Sequence, residues 1–168
     1  MSNPKQKLNF HFLTAHPAHM FALGFGSGLS PKAPGTAGTL FAWLIFVIFS
    51  FVLNEFTWAI VIFVSFIIGI WASKITAKSL DIQDPGAVVW DEVVAFWLVL
   101  WMIAPATFWE QLAAFILFRF FDAVKPPPVN WADKTFKGWG YKGAFGIMFD
   151  DLVAAFLTLL VFALWRFL

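Results

Sequence analysis

A chain of 168 residues that is 61% hydrophobic and 20% aromatic, with 12% charged residues, lies far from the roughly 25% charged composition of soluble domains and reads as a single integral-membrane domain, 1–168. A net charge of +1 leaves no electrostatic footprint for nucleic acid. The absence of cysteine excludes disulfides, thiolate zinc sites and cysteine nucleophiles.

Residues 1–20 carry Lys5 and Lys7, but His11, His16, Pro17 and His19 interrupt the apolar residues and no small-residue cleavage site follows. The stretch reads as a retained cytoplasmic or interfacial tail rather than a signal peptide. Pro17 separates His16 from His19, the one histidine pair near helical spacing, so a surface or interfacial role is expected for all three.

Residues 24–40, "GFGSGLSPKAPGTAGTL", hold five glycines, two prolines and four hydroxyl side chains. Glycine admits positive φ and close approach of backbone amides, so this stretch can form an anion-binding nest. A flexible loop leading into a membrane span has the same composition. The P-loop pattern is absent and no strand precedes the glycines, so neither nucleotide fingerprint applies. Ser27, Gly28, Ser30, Gly35 and Thr36 are the candidates for contact with a phosphate.

Five apolar segments follow, near 37–53, 57–72, 88–104, 111–124 and 152–168. A span needs about 20 helical residues, which the first, second and fifth approach. The third and fourth are shortened by charge: a helix rises about 20 Å from Asp91 to Ala104 and only about 12 Å from Gln111 to Arg119. The expected fold is all-α, a polytopic membrane helix bundle of about five spans, two of them short, with an interfacial N-terminal segment. Charged residues at such depth should face the bundle interior or a wet cavity.

Threading five spans puts every lysine and Arg119 on one side and Arg166 alone on the other. The positive-inside rule makes the crowded side cytoplasmic. Eight acids share it, and only Glu55 and Glu110 face outward. No internal repeat is visible, which weakens a transporter reading.

Three blocks bring acids to that cytoplasmic side. In "VVWDEVVAFW", 88–97, Asp91 and Glu92 are adjacent and point about 100° apart on a helix, so one is expected to hold a metal while the other meets a neighbouring helix. In "FRFFDAVKPPPV", 118–129, Arg119, Asp122 and Lys125 fall three apart along one helical face, a pattern suited to a phosphate and a metal together. In "GAFGIMFDDLVAA", 143–155, Asp150 and Asp151 open the last span. Each pattern also has a plain structural explanation, either acids at a helix start or an intrahelical ion pair. Hard carboxylate oxygens arriving from three spans suit Mg²⁺ and metal-assisted phosphoryl chemistry.

These blocks, in this order from about residue 21 to 160, resemble the phosphatidylglycerophosphatase A family. The resemblance implies Mg²⁺-dependent removal of the terminal phosphate of phosphatidylglycerophosphate, giving phosphatidylglycerol at the bacterial inner membrane. It aligns the family's W-D-E block with Trp90, Asp91 and Glu92, its F-R-x-x-D-x-x-K-P block with Phe118, Arg119, Asp122, Lys125 and Pro126, and its D-D pair with Asp150 and Asp151. The expectation is that Asp91, Glu92, Asp122, Asp150 and Asp151 surround one or two Mg²⁺ ions, while Arg119, Lys125 and the glycine-rich loop hold the phosphate. Attack by water or by one of the acids is open. The rival readings are a transporter of an ion or small anion, and a scaffold whose charges only set topology. Oligomeric state is not legible.

Overall fold

The computed structural model describes residues 8–167, without the side chain of Phe167. Lys5 and Lys7, which contribute to the charge asymmetry, lie outside the described residues. Among these the chain is helical, with no strand: α1 (Phe10–Ala15), α2 (Pro17–Ala22), a 3-10 turn over Gly24–Leu29, α3 (Pro34–Phe49), α4 (Glu55–Leu80), α5 (Trp90–Ile103), α6 (Phe108–Val124), α7 (Val129–Phe136) and α8 (Gly140–Phe167).

Local chemistry sets the ends. Asn9 and Asn54 cap α1 and α4 by accepting from the amides of Phe12 and Thr57. Thr107 and Glu110 form a reciprocal capping box on α6, which satisfies two donors that the helix start leaves free. Proline occupies the first turn of α2 and α3, where its missing N–H costs nothing. α6 stops at Lys125, which has φ 48°, and the prolines that follow cannot continue it.

Each apolar segment becomes a helix, with two boundary corrections. α4 runs past 72 to Leu80, and α8 starts at Gly140 rather than near 152. Both are long and apolar enough to cross a membrane. α3, α5 and α6, with 16, 14 and 17 residues, are shorter than the roughly 20 that a hydrocarbon core demands.

α5 is the hub. It packs against α3, α4, α6 and α8 and buries side chains all around its axis, including Val93, Phe96, Val99 and Leu100. Indole N–H groups tie it to its neighbours: Trp90 donates to the Ser65 carbonyl at 3.0 Å and Trp97 to that of Ala42 at 2.9 Å. The outward faces are apolar instead of charged, with Leu44, Phe63, Ile116 and Phe156 all exposed, the kind of surface that marks contact with a membrane or a partner.

The short helices build a second layer. α2 packs on α4 and α7 on α8, the latter through Phe136 against Phe145 and Phe149. Residues 10–22 therefore form two short helices, of which the second packs on α4. The expectation of a surface role fails for His19, which is 5% exposed. Its Nδ1 lies 2.9 Å from Thr76 Oγ1 on α4, and its ring stacks on Phe12. Alanines at 18, 22 and 72 let α2 come close enough to α4 to enclose it.

Candidate active site

The site forms where α5, α6 and α8 meet beside the first turn of α3. Asp91 and Glu92 occupy the first turn of α5, but α5 is enclosed and their carboxylates do not simply meet solvent. Asp150 and Asp151, expected at a helix start, lie well inside α8, about 15 Å along the axis from Gly140. Helix-terminus electrostatics therefore does not explain them. Glu92, Asp122, Asp150 and Asp151 are all buried, Asp151 at 3% exposure.

Asp91, Glu92 and Asp151 each bring a carboxylate oxygen to within 4.8 Å of the others. The first two, expected to point about 100° apart, therefore bring oxygens to one place. Glu92 also meets the neighbouring helix, with its Oε1 3.5 Å from Arg119 Nη1. Four buried oxygens, Asp91 Oδ1, Glu92 Oε2, Asp150 Oδ1 and Asp151 Oδ2, have no hydrogen-bond partner. A buried polar atom left without a partner costs about 1–3 kcal/mol, and more on a charged group, unless it is compensated. The oxygens of Asp91, Glu92 and Asp151 are hard donors that converge, and the acids of the site outnumber its cations, so they fit a hard divalent cation.

Two cations flank the cluster. Arg119 pairs with Asp122 one turn along α6 as well as with Glu92. Lys125 does not continue that stripe: its left-handed backbone takes it out of the helix, where its Nζ pairs with Asp150 and lies 3.3 Å from Asp133 Oδ1. Burial works against the Lys125 charge, but Asp150, followed by Asp133, holds its pKa above that of an ordinary lysine. Asp133 is a member of this network that the sequence motifs do not single out. It lies on α7, beyond the prolines, and no local spacing connects it to Lys125.

The glycine-rich stretch divides into two parts. Ser27 Oγ donates to the Gly24 carbonyl at 2.9 Å and Ser30 Oγ to that of Lys32 at 2.8 Å, so both hydroxyl protons are committed within the loop. A Cβ on Gly28 would collide with the Ala87 carbonyl, which makes this glycine a point of close chain approach. Gly35 and Thr36 differ. They sit in the first turn of α3, whose cap, Ala33, offers no side-chain acceptor. The first intrahelical bond is from the Ala37 amide, so the Gly35 and Thr36 amides have no intrahelical acceptor. A Cβ on Gly35 would overlap Glu92 Oε1 and lie 2.9 Å from Arg119 Nη2.

Convergent hard-oxygen donors, a guanidinium and an open helix start gather in one place within a helical bundle, a donor set whose chemistry suits a cation and a phosphoryl group. The chain belongs to the Phosphatidylglycerophosphatase A family, whose model matches residues 20–166. It is 37% identical over 148 residues to Phosphatidylglycerophosphatase A of Escherichia coli (strain K12), covering 86% of this chain and 80% of that protein. It is 38% identical over 165 residues to Phosphatidylglycerophosphatase A of Haemophilus influenzae, covering 97% and 95%. A Bacteroides thetaiotaomicron relative, 38% identical over 154 residues, covering 88% and 92%, carries a provisional phosphatidylinositol-3-phosphatase name. No solved structure matches the chain at a significant level.

Proposed function

We propose that this chain is a phosphatidylglycerophosphate phosphatase of the bacterial inner membrane, a single domain whose α3, α4, α5, α6 and α8 are five spans with the site at the cytoplasmic face. The observation that carries the reading is the set of four partnerless buried carboxylate oxygens beside Arg119 and the first turn of α3. Family membership supplies the substrate class. A transporter reading is disfavoured because α5 is apolar from Val93 to Ile103, leaving no polar path through the bundle.

Asp91, Glu92 and Asp151 would hold Mg²⁺, with Asp122 and Asp150 completing the acidic shell. When bound, the ion supplies Lewis-acid polarisation of the phosphoryl group and lowers the pKa of water. Arg119 offers a planar fork to two phosphate oxygens. The Gly35 and Thr36 amides add donors at the positive end of α3. Lys125 holds the Asp150 carboxylate and brings a positive charge to the rim, while Ser27, Gly28 and Ser30 set the path of the loop into α3. One carboxylate opens the reaction, either as nucleophile on phosphorus or as the base for water, and ¹⁸O incorporation into an acid side chain separates the two.

The test is purified protein in detergent with phosphatidylglycerophosphate and Mg²⁺. Phosphate release should be abolished by chelator and by Asp122→Asn or Asp150→Asn. Folded protein that releases none, or full activity in both variants, would sink the reading.

A further inference from the structure

The outward side of the α3–α6 pair holds an apolar groove of about 450 Å³, lined by Leu40, Trp43, Leu44, Val47, Phe108 and Gln111. Both helices pack on α5, and Trp43 bridges them. Its Nε1 donates to Gln111 Oε1 at 2.7 Å, and its ring stacks on Phe108 and Phe115. Along α3, Gly35, Thr39, Trp43 and Val47 follow at four-residue steps, and along α6 so do Arg119, Phe115 and Gln111. Residues four apart form continuous ridges on a helix surface. The groove and the Gly35–Arg119 contact are therefore two ends of one seam, cationic at the top and apolar below. Leu40 and Val47 lie about 8 and 18 Å along α3 from Gly35, within the reach of an extended lipid whose terminal phosphate is held there.

We propose that this groove takes one acyl chain of the same lipid molecule whose phosphate binds at Arg119 and Gly35, making the α3–α6 seam the track on which the substrate docks. The proposal rests on the phosphatase reading, which supplies the lipid. Two other apolar concavities, one around Phe63 and Leu98 and one beside Phe156 and Arg166, share no ridge with Gly35 or Arg119.

Leu44 is 59% exposed and far from the carboxylates, so Leu44→Trp fills the groove without touching the site. The full chain is assayed with Mg²⁺ on long-chain phosphatidylglycerophosphate and on a short-chain diacetyl form, which has no hydrocarbon tail to place in the groove. The variant should raise the long-chain KM by about fivefold or more at unchanged kcat, and leave short-chain kinetics within about twofold. Equal losses on both substrates, or unchanged long-chain kinetics, overturn the proposal.

A second readout uses the native protein and needs no turnover. Long-chain phosphatidylglycerophosphate with a diazirine at its acyl end should leave photo-adducts on residues 40–47 and 108–111, competed away by unlabelled substrate. Adducts spread over α4 and α8, or equal labelling by a phosphatidylcholine probe, overturn the proposal. Adducts on the seam with no phosphate release would defeat the phosphatase reading and leave the docking track standing. Phosphate release without seam adducts would do the reverse.

Discussion

Gly35 on α3 and Arg119 on α6 leave no room for a side chain between them: a Cβ at position 35 would lie 2.9 and 3.0 Å from the two terminal guanidinium nitrogens. Gly35 has an ordinary helical backbone, so alanine there should favour the helix by about 1 kcal/mol. Gly35→Ala should nevertheless cut phosphate release by about 100-fold or more, because Arg119 and Glu92 must move to admit the methyl group. Melting curves and activity, measured on the same preparation, check this. Loss of both together would mean a folding defect instead.

Asp151→Asn replaces a buried carboxyl group, one oxygen of which has no hydrogen-bond partner, with a neutral amide. Metal-free protein should become more stable, with a Tm rise of about 2–4 °C for each kcal/mol relieved. The rise that Mg²⁺ gives the native protein through preferential binding to the folded state should vanish in the variant, and activity should fall by about 1,000-fold. Thermal melts with and without Mg²⁺ separate these effects.

Lys125 and Asp150 tie the end of α6 to the middle of α8. Lys125→Met strands the Asp150 carboxylate and should cost about 1–3 kcal/mol of stability. Adding Asp150→Asn should recover most of that loss without restoring activity. A double-mutant cycle on unfolding free energy gives the coupling, and additivity of the two changes would show that the ion pair contributes nothing.

His19 supplies a pH dependence outside the carboxylate site. Burial, with a smaller contribution from the nearby His16, lowers its pKa below the ordinary 6.5. The unfolded chain therefore binds the proton more readily than the folded one. Stability from this group is full above 6.5 and is lost as pH falls below that value. Between pH 7.5 and 5.5 the Tm of the native protein should fall relative to that of His19→Gln, a difference in which the contributions of the other titrating groups cancel.

The acids and cations of the site were legible because such residues are costly within apolar sequence and have few structural excuses there. Their spacing could not show how they meet. Adjacent Asp91 and Glu92 bring oxygens together despite their angular separation on the helix, and Lys125 leaves its stripe through a single left-handed residue. The start of α8 was hidden by glycines that resemble a loop. At Gly143 a Cβ would strike the Gly138 carbonyl, and at Gly146 it would press on Phe136. These glycines therefore mark the close passage of the preceding chain rather than a break in the helix. Asp133 reaches Lys125 only through that same packing, which no local pattern encodes.

The difference in helix length has a consequence for the surrounding lipid. α3, α5 and α6 rise about 21–26 Å, against roughly 30 Å of hydrocarbon, whereas α4 and α8 are long enough to clear it. On the proposed topology, with α5 enclosed, the bilayer meets a lopsided wall, and hydrophobic mismatch is relieved by a dimple on the side of α3 and α6. In that dimple the phosphate plane of the inner leaflet sinks toward Arg119. A substrate lipid could then reach the carboxylates by lateral diffusion, without being lifted out of the membrane.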